Sequence, residues 1–132
     1  RFYNILLAGI QPQVPRGSEN VWTFGYGLGT ARKLSRWLHF NVDITSQHIT
    51  KGNFTDALSL LNKVHVGLDW RLGKNFSIYT GATLNGYLTD TRYTDYPRLF
   101  YDYPPDIFYD KTIGTHTNLK MWLGGKVALR FL

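Results

Sequence analysis

Apolar and polar residues alternate at period two along almost the whole chain, which commits it to strands and not helices. In Val21–Lys33, Trp22, Phe24, Tyr26 and Leu28 fall on one face, with Thr23, Gly25, Gly27 and Gly29 on the other. Trp37–Thr50, Leu58–Leu72, Phe76–Thr89 and His116–Leu132 repeat the pattern, and Arg1–Ile10 is a short apolar run whose facing is ambiguous. Six strands are expected. Leu34–Arg36 and Gly73–Asn75 are tight turns, whereas 11–20, 51–57 and 90–115 are long connections. All five prolines fall in the long connections, as they must if central strands keep their backbone donors. No second domain, linker or internal repeat beyond the hairpin is visible in residues 1–132.

Alternation fits two opposite objects. A soluble barrel or sandwich buries its apolar face. A membrane barrel turns that face to lipid and fills its lumen with polar side chains. Three features favour the second. The polar face mixes many glycines with Lys63, Asp69, Arg71, Lys120, Lys126 and Arg130, as a narrow lumen requires and a solvated face does not. The strands run about 13–17 residues, beyond the usual soluble length of about 5–6. Short and long connections alternate, and aromatics such as Trp37, Trp70, Phe76 and Phe131 gather towards one boundary, with Trp22 at the other.

The chain closes on Trp122-Leu-Gly-Gly-Lys-Val-Ala-Leu-Arg-Phe-Leu132, which resembles the C-terminal β-signal of bacterial outer-membrane barrels, here with the aromatic one position before the end. Trp70–Asp90 and Tyr26–Phe40 are similar to strand-and-turn phrases of Bacteroidetes-type barrel proteins. The resemblance covers roughly 21–132 and implies an antiparallel up-and-down transmembrane β-barrel in the bacterial outer membrane. It also implies the barrel-assembly machinery as a partner during biogenesis. Such barrels start at about eight strands. Six strands therefore imply the C-terminal part of a longer chain, strands hidden in a loop, or completion by several chains; the abrupt start at Arg1 favours the first.

Zero cysteines exclude disulfide scaffolds and thiolate metal sites. The net charge of +6 invites anionic partners. No nucleic-acid motif accompanies it, so lipid phosphates, lipopolysaccharide included, are the expected anions. Gly25-Tyr-Gly27-Leu-Gly29 lies within a strand and opens no helix, so it is not a phosphate loop. His39, Asp43, His65 and Asp69 share the polar face of two neighbouring strands. They could serve acid–base chemistry or, with His48 and His116, hold a metal. The favoured reading is a lumen network of charges with Lys63, Arg71, Lys120, Lys126 and Arg130, without metal or cofactor.

Five of the nine acids lie between Asp90 and Asp110, interleaved with Tyr93, Tyr96, Phe100, Tyr101, Tyr103, Phe108 and Tyr109. Tyrosine gives large contact area at low entropy cost, so this segment reads as an external loop for a protein or glycan partner. The expected function is structural or surface-binding, not enzymatic. A lipid-modifying outer-membrane enzyme and a soluble lipocalin-like barrel are the alternatives.

Overall fold

The computed structural model describes residues 1–11, 21–51, 59–90, 92 and 107–131. Seven strands form one antiparallel up-and-down sheet: β1 Phe2–Gln11, β2 Val21–Lys33, β3 Leu38–Lys51, β4 Ser59–Arg71, β5 Phe76–Asp90, β6 Ile107–Ile113 and β7 Thr117–Phe131. No helix occurs among the described residues. The spatial order is β1-β2-β3-β4-β5-β7-β6, and no ladder joins β1 to β6, so the sheet is not closed.

The six long strands follow the alternation, and the tight turns fall where the sequence placed them. Leu34 N–H donates to the Leu38 carbonyl at 2.9 Å and Leu72 N–H to the Phe76 carbonyl at 3.1 Å. Sequence analysis missed β6 and assigned its residues to the loop. Ile107 pairs with Trp122 and Tyr109 with Met121, leaving Phe108 as the extra residue of a bulge. Two residues opposing one break the period-two signal that reveals the other strands. Phe108 and Tyr109 are therefore strand residues, not loop residues. β6 is also short: its 7 residues flank only the Thr117–Trp122 half of β7. Its turn back through Gly114, at φ 72°, lies at the long-connection end of the sheet.

The sheet curls. A cavity of about 400 Å³ is lined jointly by Ile5 and Leu7 of β1 and by Trp122 and Lys126 of β7, strands that four others separate. The face turned into this trough is the polar one: Asn41, Asp43, Thr45, His65, Asp69, Ser77, Thr83 and Asn85 are buried. On the convex side Leu6, Tyr26, Leu28, Ile44, Leu123, Val127 and Leu129 are exposed. Among the described residues, buried apolar side chains are few: Ile49, Leu61, Tyr79, Tyr87 and Trp122. At about 1.5–3 kcal/mol for each fully buried large side chain, this is a small core. It sits at the long-connection end, where Ser59 and Tyr87 hydroxyls hydrogen-bond at 2.8 Å.

At two positions inside the trough a tyrosine ring lies against a glycine. A Cβ on Gly29 would meet the Tyr3 ring and come within 2.5 Å of Asp43 Oδ1. One on Gly67 would lie 2.5 Å from the Thr80 carbonyl oxygen and 2.6 Å from the Tyr79 ring and hydroxyl. Gly29→Ala should cost about 1–3 kcal/mol through overpacking. Because the atoms it meets are side-chain atoms, adding Tyr3→Ala should remove most of that penalty. Urea unfolding of the two single variants and the double variant measures the coupling, and additive losses would refute the ring-on-glycine account.

Candidate functional site

Strand alternation brings the chemistry-bearing side chains onto the trough wall in cross-strand rows. One row runs Tyr3, Gly29, Asp43, His65, Thr83 and Gly124 from β1 to β7. The next holds Ile5, Gly27, Thr45, Lys63, Asn85 and Trp122. Nearer the tight turns, Lys33, His39, Asp69, Tyr79 and Ala128 line up, followed by Arg71 and Ser77, with Arg130 at the register position opposite Ser77.

Asp43 is buried, and its carboxylate accepts a hydrogen bond from the Tyr3 hydroxyl. His65 stands directly opposite it on β4, and His39 stands opposite Asp69. Among the described residues neither His39 Nδ1 nor His65 Nδ1 has a hydrogen-bond partner, so none of these residues orients either imidazole through that nitrogen as in a catalytic triad. Lys126 lies over the Tyr79 ring, 5.5 Å from its centroid. Asn85 Nδ2 donates to Thr83 Oγ1 and to the Trp122 carbonyl, both at 3.3 Å. Lys120 is on the same parity but turns to β6, with its ammonium 3.8 Å from Asp110 Oδ2. Arg71 is partly buried, and Arg130 holds its place on β7 opposite Ser77.

His48 packs against Phe24 on the convex face, with ring centroids 5.7 Å apart, and His116 lies in the β6–β7 turn. The four histidines therefore do not converge. No group of three or more His, Cys, Asp or Glu is gathered among the described residues. In the acidic aromatic segment, Tyr93, Tyr96, Phe100, Tyr101 and Tyr103 lie outside the described residues.

Sequence reading missed Tyr3 and left Tyr79 and Trp122 out of the candidate set. The available signal was the glycines: Gly29 and Gly67 mark where a neighbouring ring needs room. No protein-family model matches the chain, and no curated protein or solved structure does either.

Beyond the trough, Asp90 closes β5 at the long-connection end. Arg92 donates to both its carboxylate oxygens, at 2.6 Å from Nη2 to Oδ2 and 3.0 Å from Nε to Oδ1. These hydrogen bonds, with another from the Arg92 backbone N–H, push the Asp90 pKa down to about 2. The carboxylate should thus stay ionised as pH falls below the ordinary aspartate value and become protonated only near pH 2. Carbon-13 NMR titration of the Asp90 carboxyl should show that midpoint, and Arg92→Gln should raise it towards the ordinary value.

Proposed function

We propose that this chain is a β-barrel segment of a bacterial outer membrane, with a structural and surface-binding role. The observation that carries the reading is the reversal of the two faces. The convex rows Leu28, Ile44, Val64, Leu84, Leu123 and Val42, Val66, Ala82 run continuously across the sheet. A contiguous apolar surface of that kind requires an apolar covering. From Leu119 to Leu129 on β7, and from Leu60 to Trp70 on β4, the convex positions cover about 11 residues, matching the roughly 9–11 that a tilted strand needs to cross hydrocarbon. Trp37 and Trp70 lie exposed at the tight-turn end and Trp22 at the opposite one, the levels that interfacial aromatics occupy. A soluble lipocalin-like barrel would present these faces the other way round.

On this reading the surrounding partners are outer-membrane lipid and lipopolysaccharide, and the Gly-Gly-to-Phe131 ending engages the assembly machinery. The tyrosine-rich segment after β5 contacts a protein or glycan outside the cell. No catalytic role is assigned to the His–Asp juxtapositions.

The test is where the convex face resides. Nitroxide labels at Ile44, Val66 and Leu123 should be relaxed by oxygen more than by a water-soluble nickel chelate in bilayers, with the reverse at Leu34 and Leu72. Val66→Arg should cost about 2–4 kcal/mol in bilayers, the range for a cation near the midplane. A chain that is monodisperse without detergent, with nickel-dominated relaxation at Ile44 and Val66, would overturn the proposal.

A further inference from the structure

Among the described residues the charges of the trough do not balance, and the imbalance is focused on one cavity. Asp43, Lys63, His65, Asn85, Trp122 and Lys126 all line the 400 Å³ space between β1 and β7. Its two ammonium groups face one carboxylate, and that carboxylate already accepts the Tyr3 hydroxyl. Neither Lys63 nor Lys126 makes an ion pair among the described residues. Lys126 is steadied by the Tyr79 ring, and Lys63, half-buried, stands between Thr45 and Asn85. A cation withdrawn from bulk water seeks a counter-charge, and two cations on one concave wall focus the field on the space between them.

We propose that this cavity is a binding site for a small oxyanion, a phosphate or carboxylate group held between the Lys63 and Lys126 ammonium groups, with the His65 ring beside it and the Trp122 indole forming one wall. Lysine suits such a ligand as a point charge without imposing a planar geometry. The inference goes beyond the membrane reading and does not depend on it, because the trough faces inward whatever covers the convex side.

The four tryptophans allow a direct test. Trp22, Trp37 and Trp70 are exposed and Trp122 is buried at the cavity. A chain carrying Trp22→Phe, Trp37→Phe and Trp70→Phe reports on the cavity through Trp122 alone. It is kept in whichever of buffer or non-ionic detergent leaves it monodisperse, so a failed membrane reading does not spoil the measurement. Sodium phosphate and sodium acetate are titrated separately, against sodium chloride at equal ionic strength. A saturable emission change with phosphate or acetate, and none with chloride, is expected. The anion that produces it assigns the class. Lys63→Gln and Lys126→Gln should each weaken binding at least tenfold, whereas Lys74→Gln, in the exposed β4–β5 turn, should leave it unchanged. Lys63→Met or Lys126→Met replaces any glutamine variant that loses its β-sheet circular dichroism. No saturable change with either oxyanion, an equal response to chloride, or equal affinity in the Lys63, Lys126 and Lys74 variants would overturn the site.

Discussion

A single curled sheet has one face that must be filled and one that must be covered, and the limited space on the filled face governs the rest. In this chain that face carries charge and hydrogen-bonding groups over most of its length, and the buried aliphatic side chains Ile49 and Leu61 are confined to the long-connection end. Tyrosines solve the problem. Tyr3 lies over Gly29 and hydrogen-bonds to Asp43, and Tyr79 lies over Gly67 and offers its ring to Lys126. Each ring supplies bulk against a flat backbone and satisfies or steadies a charged neighbour. The glycines, which weaken a strand by their entropy, here let the backbone and ring meet.

The same arrangement explains why the apolar residues lie outside. With Asp43, His65 and Asp69 buried in the trough, Ile44, Val66 and Trp70 on the alternate parity have no interior to enter. A one-residue slip in register would exchange the two sets wholesale. The uninterrupted ladders from β2 to β5 and on to β7 prevent that slip, because each strand fixes the phase of the next.

Much of this was legible in the sequence where one residue type alternated strictly with another. β2 to β5 and β7 were readable because Trp22 through Leu28, or Leu38 through Ile44, leave no doubt about phase. β1 was readable as a strand but not in its facing, since Leu6 and Leu7 are adjacent and equally apolar; only its pairing with β2 turns Leu7 inward. β6 was hidden by its bulge at Phe108 and by Asp110 and Lys111. The cations of the trough followed from parity, but their partners did not. Tyr3 and Asp43 are 40 residues apart, and no local pattern links them.

The short reach of β6 leaves an asymmetric seam. It covers the outer edge of β7 only from Thr117 to Trp122, so the stretch from Leu123 to Phe131 keeps an outward row of peptide groups with no neighbour among the described residues. A further strand could pair with β7 only from the tight-turn end up to the level of Trp122, because β6 already occupies the peptide groups beyond it. The open stretch and the paired stretch of β7 therefore differ in what their outer peptide groups can accept: the first can take a further strand, the second is already satisfied by β6.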